Sequence, residues 1–284
     1  MVMEFLKLNN GIEMPILGLG TYLLSPDDAE RAVNFALANG YSLIDTANAY
    51  VNERAVGRGM KASGKARNEI FLETKLWASF YEDDTQIDKT LERLGTDYID
   101  LMILHQPAGN YIAGYHKLEK AYKEGKLNAI GVSNFEIDEL KQILSVCEIK
   151  PMVNQVETHP YYPQTKLRAF MDAEDIRIQS WYPLGGRGNS SLMKENVIEE
   201  LAAKYGKSPA QIIMRWHVQN NIIVIPGSKT ESHIMDNIDV FDFCLTENDM
   251  KQIATLEKTT SIFQRQPGMM DSFAAWVPDV DHQK

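Results

Sequence analysis

Tyr41 to Gly57 read YSLIDTANAYVNERAVG, which is the pattern of a short apolar strand, a polar turn and the start of a helix. Asp45 stands where the predicted strand ends, and Tyr50 follows near the start of the helix. An acid and a phenol that leave the same strand edge can line one pocket. The stretch therefore predicts a strand–helix unit and half of a candidate site, to which other strands would have to add a cation and a histidine.

Strand and helix patterns alternate along the chain on both sides of this unit. The predicted strands are 16–20, 41–44, 70–74, 98–105, 127–132, 152–156, 176–180 and 222–225, each separated from the next by at least one helical pattern. Eight strands in this alternation predict an α/β fold, a single (β/α)8 TIM barrel. An open Rossmann sheet would need Gly-x-Gly-x-x-Gly after the first strand, and GLGTYL at 18–23 lacks the third glycine.

The two ends of the chain fall outside the alternation. Asn9-Asn10-Gly11 lies between two apolar runs, which predicts an N-terminal β-hairpin. The tail from 259 to 284 has no clear period, and we expect it to form a C-terminal loop over the active site. No Pro/Gly/Ser-rich linker interrupts the sequence, so residues 1–284 are predicted to form a single domain.

Composition and charge narrow the classes of function. The chain has 284 residues and a formal net charge of −10, which argues against nucleic acid or an anionic membrane as a partner. No stretch approaches the roughly 20 apolar residues that cross a bilayer. Cys147 and Cys244 are far apart and lack metal-ligand spacing, which is typical of a reducing cytoplasm. We therefore expect a cytoplasmic protein that binds a small molecule, without a metal ion.

Polar or aromatic residues stand at the carboxyl ends of the predicted strands, where TIM barrels place their chemistry. They are Gly20, Thr21, Tyr22, Asp45, Lys75, His105, Ser133, Asn134, Gln155, Trp181, Gly227 and Ser228. A lysine ammonium beside Tyr50 would lower the phenol's pKa by about 1 to 3, and Asp45 would balance the ammonium's charge. Tyr50 would then act as a general acid while His105 orients a carbonyl oxygen. No side chain supplies a hydride, so these roles imply a nicotinamide cofactor.

Seven motifs in order resemble those of the aldo-keto reductases. They are LIDTANAYVNERAVG (43–57), ETKLW (73–77), LMILHQP (101–107), AIGVSNF (129–135), VNQVETHP (153–160), SWYPLGGR (180–187) and VIPGSKTESHIMDN (224–237). The resemblance runs from the hairpin to about Trp276. It implies a (β/α)8 barrel that reduces aldehydes and ketones, usually with NADPH. The family's catalytic tetrad would fall on Asp45, Tyr50, Lys75 and His105.

The resemblance also implies binding residues. Ser133, Asn134 and Gln155 would hold the nicotinamide carboxamide, Trp181 would stack on its ring, and Leu184 and Gly185 would border the pyrophosphate. Ser228, Lys229, Thr230, His233 and Asn237 would surround the adenosine. Gly20, Thr21, Tyr22 and Asp45 complete the predicted cofactor contacts. The predicted substrate contacts are Tyr22, Tyr50, Trp77, His105 and Trp276, with Met269 and Met270 as a further part of the wall.

The chain departs from the family pattern at three positions. Gly227 and His233 replace a lysine and an arginine that many members have, so NADH is an alternative to NADPH, and Lys229 and His233 together become the expected phosphate ligands. Gln106 replaces the family's usual tryptophan after the catalytic histidine, which makes the predicted substrate pocket less aromatic.

Two other functions are consistent with the sequence. The barrel could be a dinucleotide-binding sensor or regulatory subunit with little turnover, which the intact tetrad disfavours. It could also be an isomerase or aldolase that forms a Schiff base on Lys75, which the paired Asp45 disfavours. The favoured prediction is a monomeric, NADPH-dependent reductase of small carbonyl compounds. His159, beside Glu157, is interpreted as structural because no second histidine stands at metal-ligand spacing.

Overall fold

The computed structural model describes residues 3–186, 190–259 and 261–284. It begins with the predicted antiparallel hairpin, β1 (Phe5–Lys7) and β2 (Glu13–Pro15). Gly11 takes φ +91° in the turn, a conformation that glycine adopts without strain. The neighbouring Asn10 donates from its amide to the Asn128 carbonyl at 2.9 Å, just before a barrel strand begins. The hairpin therefore covers the end of the barrel opposite the site.

Eight parallel strands form the barrel. They are β3 (Gly18–Gly20), β4 (Leu43–Asp45), β5 (Phe71–Leu76), β6 (Leu101–Leu104), β7 (Ile130–Ser133), β8 (Val153–Glu157), β9 (Arg177–Trp181) and β10 (Ile223–Val224), paired in chain order. Parallel bridges of Leu17 with Val224 and of Gly20 with Gly227 join the first strand to the last. A Cβ on Gly20 would lie 2.9 Å from the Ile225 carbonyl oxygen, so only glycine lets the two edges meet there. The predicted barrel is confirmed.

Most helices follow barrel strands and pack on the outside of the barrel, whereas the last helix lies in the C-terminal tail. They are α1 (Pro26–Ala38), α2 (Glu53–Ala62), α3 (Gln86–Leu94), α4 (Tyr111–Lys123), α5 (Ile137–Val146), α6 (Thr165–Ala173), α7 (Asn196–Tyr205), α8 (Pro209–Gln219), α9 (Glu231–Ile238), α10 (Glu247–Ala254) and α11 (Met269–Ala275). Ser25 caps α1 through the Asp28 amide, and Ser208 caps α8 through the Gln211 amide. Because helices cover the outside and side chains fill the inside, strands such as β6 are buried along their whole length.

The tail differs from the prediction of a loop. It contains the short helix α11, which the sequence pattern did not reveal. This helix follows Gly268 in a left-handed conformation, has no side-chain cap and buries no complete side chain. It therefore lacks both the apolar period and the capping residue by which helices are recognised in a sequence. Within the described part of the chain, no helix is long and apolar enough to span a bilayer.

Candidate active site

The strand ends bring a lysine and an aspartate into a buried ion pair. Asp45 ends β4, and Lys75 lies near the end of the adjacent β5. The Lys75 ammonium donates to Asp45 Oδ1 and, at 3.0 Å, to the Thr46 carbonyl. Gln155 Nε2 lies 3.0 Å from the same Asp45 oxygen. These bonds offset the desolvation cost of two charges whose side chains are at most 2% exposed.

Tyr50 is held against this pair by a strained turn. The 3-10 turn Asn48–Tyr50 follows β4 and ends at Val51, whose φ is +56°. A β-branched residue in the left-handed region is a real outlier, of the kind that gathers at functional sites. The Trp77 amide donates to Asn48 Oδ1 at 3.0 Å and ties the turn to β5. As a result, Lys75 Nζ lies 5.0 Å from the centroid of the Tyr50 ring.

The protonation state of Tyr50 corrects one expectation from the sequence. Burial raises the pKa of the phenol above its ordinary value of about 10, and the nearby Lys75 ammonium only partly offsets that effect. The sequence predicted the opposite direction because it shows a nearby cation but not how completely the ring is enclosed. Tyr50 therefore carries its proton at neutral pH, which is the state that a proton donor needs.

His105 completes the group at the carboxyl end of β6. Its ring centroid lies 5.5 Å from that of Tyr50 and 5.0 Å from that of Trp77, in both cases edge to face. Burial, followed by the charge of Lys75, holds the pKa of the imidazole well below its ordinary range. The neutral ring can donate one hydrogen bond without adding a second cation beside Lys75. We call Asp45, Tyr50, Lys75 and His105 the reactive end of the site.

Glu73 is a buried acid beneath the reactive end and is not among the residues predicted from the sequence. It lies two residues before Lys75 on β5, so both side chains point into the barrel. Gln155 Nε2 lies 3.0 Å from its Oε1, and Gln179 Nε2 donates to its Oε2 at 2.6 Å. Burial and the charge of Asp45 raise the pKa of Glu73 to about 8. A charged residue directly after the apolar run 70–72, two positions before Lys75, was the available signal.

A single cavity of about 690 Å³ begins at the reactive end and collects most of the predicted site residues. Its lining includes Gly20, Tyr22, Asp45, Tyr50, Trp77, His105, Ser133, Asn134, Gln155, Trp181, Leu184, Ser228, Lys229 and Trp276. The predicted residues that do not line it are Thr21, Lys75, Gly185, Thr230, His233, Asn237, Met269 and Met270. Thr21 is buried, with its hydroxyl donating to the Asp45 carbonyl at 2.9 Å, whereas His233 is exposed on α9.

The middle of the cavity presents an indole and an amide in fixed positions. Trp181 Nε1 donates to Asn134 Oδ1 at 2.9 Å, and Asn134 Nδ2 donates to the His105 carbonyl at 3.2 Å. Asn134 has φ +65°, a left-handed conformation that asparagine tolerates better than most residues. These bonds orient the flat face of Trp181 relative to the reactive end.

Ser228 and Lys229 line the far end of the cavity, which we call the basic end. Lys229 Nζ lies 3.5 Å from Asp28 Oδ2, an acid in the first turn of α1 that also lines the cavity. Asp28 is not among the residues predicted from the sequence, because it has the usual position of an acid near a helix N-terminus. A hydrogen bond with Ser25, followed by the charge of Lys229, lowers the pKa of Asp28.

The C-terminal tail forms one wall of the cavity, as predicted, but through partly different residues. Phe263, Phe273 and Trp276 line the cavity, and Trp77 Nε1 donates to the Trp276 carbonyl at 2.9 Å. The buried Glu157 carboxylate holds the first part of the tail by accepting bonds from the amides of Ile262 at 2.7 Å and Phe263 at 2.9 Å.

Comparisons with known proteins agree with this geometry. The model of the Aldo/keto reductase family matches residues 16–258. The chain belongs to this family. A protein of Bacillus subtilis (strain 168) named glyoxal reductase is 43% identical over 260 residues, covering 90% of this chain and 93% of that relative.

Solved structures of the family have the same fold. An aldo-keto reductase from a Medee basin deep-sea metagenome library superposes with a TM-score of 0.89 at 41% identity, covering 92% of this chain and 97% of that one. A Bombyx mori aldo-keto reductase in complex with NADP superposes with a TM-score of 0.87 at 31% identity, covering 93% of this chain and 96% of that one. Family membership confirms the predicted oxidoreductase class.

Proposed function

We propose that this aldo-keto reductase reduces aldehydes and ketones to alcohols with NADPH, and that Tyr50 supplies the proton. One observation carries the proposal. The Tyr50 ring lies 5.0 Å from the Lys75 ammonium and 5.5 Å from the His105 ring, at one end of a cavity whose other end holds Lys229. The phenol of Tyr50, the ammonium of Lys75 and the imidazole of His105 are thus close together at one point of the cavity, which is large enough for a long ligand.

The donor set of the cavity fits a phosphorylated dinucleotide. Ser133, Asn134 and Gln155 offer hydroxyl and amide groups beside the flat face of Trp181. Among the described residues, Lys229 is the one lysine or arginine that lines the cavity, although the whole chain has a net charge of −10. A local cation in an acidic protein suits a ligand phosphate. When bound, the cofactor would supply the hydride.

The chain's own residues would handle the proton. Tyr50, which burial keeps protonated, would donate to the carbonyl oxygen as the alcohol forms. Lys75 would stabilise the phenolate that remains, while Asp45 holds the ammonium in place. His105, neutral for the reasons above, would donate a hydrogen bond to the same carbonyl oxygen and fix its direction.

The state of Lys75 favours reduction over Schiff-base chemistry. Burial alone would lower the pKa of its ammonium, but Asp45, Tyr50 and Glu73 together raise it above its ordinary value. A Schiff base requires a free amine, which this environment suppresses. The name of the Bacillus subtilis relative, glyoxal reductase, supports a small aldehyde as substrate. Cytoplasmic location and a monomeric state remain predictions.

The test is to remove one hydroxyl group. Tyr50→Phe should lower kcat with an activated aldehyde by about 10² to 10⁴, followed as loss of NADPH absorbance. It should still bind NADPH, followed by quenching of tryptophan fluorescence. Tyr111→Phe is the matched control, because its hydroxyl donates to Gln142 on the protein surface and the residue does not line the cavity. A Tyr50→Phe variant within a few-fold of the parent would contradict the role of Tyr50.

The same assay distinguishes the reductase from the sensor. Faster loss of absorbance with NADPH than with NADH supports both the reaction and a phosphate contact at Lys229. Equal rates keep the reaction but remove the phosphate contact. Tight cofactor binding without turnover of any aldehyde or ketone would favour a sensor or regulatory subunit.

A further inference from the structure

Gln106 has an unpaired side chain at the reactive end of the cavity. Its backbone is fixed by a single phenol, because its N–H donates to Tyr81 Oη at 3.0 Å and Tyr81 donates back to its carbonyl at 2.7 Å. The residue is 7% exposed. Its side-chain amide makes no hydrogen bond with any residue that the structure describes, and its Oε1 is buried. A buried polar atom without a partner costs free energy, so a native protein needs a reason to retain one.

The position of Gln106 beside the reactive end explains why an unpaired amide would be retained there. It follows His105 directly in the chain, and both residues line the cavity. The walls around this part of the cavity are aromatic, because the Trp77 ring lies 5.4 Å from that of Phe273 and 5.0 Å from that of Trp276 by centroid. An amide placed on an aromatic wall beside a group that orients a carbonyl can contact the substrate itself.

We propose that Gln106 binds a second oxygen of the substrate, and that the enzyme therefore prefers aldehydes and ketones with a hydroxyl or carbonyl oxygen next to the reacting carbon. The inference rests on the proposed reductase function. The Nε2 group can donate to either kind of oxygen, whereas Oε1 can accept only from a hydroxyl. A substrate with that oxygen would give the amide a partner that it lacks in the free enzyme, whereas an unsubstituted aldehyde would leave it unpaired, and the hydrogen bond gained is what separates the two classes of substrate.

The test compares substrates in matched pairs. Phenylglyoxal and phenylacetaldehyde differ by one oxygen, as do 2-hydroxybutanal and butanal. Because an adjacent oxygen also changes the intrinsic reactivity of a carbonyl, the informative quantity is the ratio of kcat/KM within each pair, compared between wild type and Gln106→Leu. Leucine fills similar space without an amide. We expect the ratio to fall by about tenfold or more in both pairs.

Two further variants keep the result interpretable. Phe273→Leu changes the same wall but keeps the amide, so it should alter both members of a pair alike and leave the ratio near that of wild type. Gln106→Met repeats the removal of the amide with an unbranched side chain, and NADPH binding by fluorescence confirms that each variant is folded. Ratios that stay at the wild-type value in both Gln106 variants would overturn the inference.

The outcome also separates this inference from the proposed function. A folded wild type that binds NADPH but turns over neither member of either pair would overturn both. Turnover of all four compounds with ratios that do not depend on residue 106 would leave the reductase in place and overturn only the role of Gln106. A fall in the ratio in one class of pair, for example only with 2-hydroxybutanal, would support the role and restrict it to that oxygen.

Discussion

The two ends of the cavity each contain a lysine–aspartate pair, but in different surroundings. At the reactive end, Lys75 and Asp45 expose 1% and 2% of their side chains. At the basic end, Lys229 and Asp28 expose 65% and 21% and lie 3.5 Å apart. Both pairs consist of one ammonium and one carboxylate, so what distinguishes them is their exposure to water.

This difference determines which of the two pairs affects the stability of the fold and which can be changed without affecting it. Removing one partner of a buried pair leaves a charge that water cannot solvate, so the charges of the reactive end are tied to the stability of the barrel. An exposed pair gains little because water and salt screen it. The chemistry therefore depends on preorganised charges, whereas cofactor preference can change at the basic end with little effect on folding.

The largest effect should follow from the same substitution at both lysines. Lys75→Met should lower the free energy of unfolding by about 3–5 kcal/mol, because it leaves Asp45 buried without its cation. Lys229→Met should leave the urea midpoint unchanged within error. Urea unfolding at neutral pH measures both.

A double variant identifies the cause of that loss. Asp45→Asn combined with Lys75→Met removes the unpaired charge, so it should recover much of the stability lost by Lys75→Met while remaining inactive. If Lys75→Met and Lys229→Met both left the free energy of unfolding nearly unchanged, the buried pair would be no more important for stability than the exposed pair.

The second prediction concerns Glu73, which lies in the same buried network without a cation of its own. Its pKa is about 8 in the folded protein, against an ordinary value of 4.5. Between these two values the folded state holds one more proton than the unfolded state, so stability is greatest at low pH and falls as pH rises toward 8. The slope contributed by one such proton is at most about 1.4 kcal/mol per pH unit.

Glu73→Gln tests this dependence because glutamine resembles the protonated acid but does not titrate. Between about pH 6 and 8, we expect the unfolding free energy of wild type to fall more steeply than that of the variant, by about 1 kcal/mol per pH unit. Glu257→Gln, at an exposed acid, should keep the wild-type slope. Parallel curves for wild type and Glu73→Gln would show that Glu73 is ionised throughout this range.

The sequence signals that place the four residues of the reactive end near one another are local. Asp45, Lys75 and His105 each stand at or near the end of an apolar run, and parallel strands bring such ends together at one rim. Tyr50 follows one of these ends by a short turn. The alternation of eight strands with helices could be predicted for the same reason, since the hydrophobic pattern of each strand or helix is visible within a few residues.

What the sequence did not predict depends on neighbours that are distant along the chain. Glu73 is notable only once Gln155 and Gln179 are seen to meet it across the barrel. Phe263 lies in a tail without periodicity and reaches the cavity because Glu157, far earlier in the chain, accepts its backbone amide. The direction of the Tyr50 pKa shift depends on burial, which no local pattern reports.

Asp28 yields the smallest predicted effect and tests the basic end directly. If Lys229 contacts the 2′-phosphate of NADPH, the Asp28 carboxylate competes for the same ammonium and repels the phosphate. Asp28→Asn should therefore tighten NADP⁺ binding by about two- to fivefold, as expected for one exposed charge contact, and leave NAD⁺ binding unchanged. Quenching of tryptophan fluorescence at low ionic strength measures both dissociation constants.

Asp27→Asn is the matched control. Asp27 precedes Asp28 in the first turn of α1, is exposed and does not line the cavity, so this substitution makes the same change in net charge without touching the pair. Equal effects of the two substitutions would mean that only the overall charge matters. Weaker NADP⁺ binding in Asp28→Asn alone would mean that Asp28 orients Lys229 toward the phosphate instead of competing with it. In that case the basic end would be preorganised in the same way as the reactive end, despite its exposure to water.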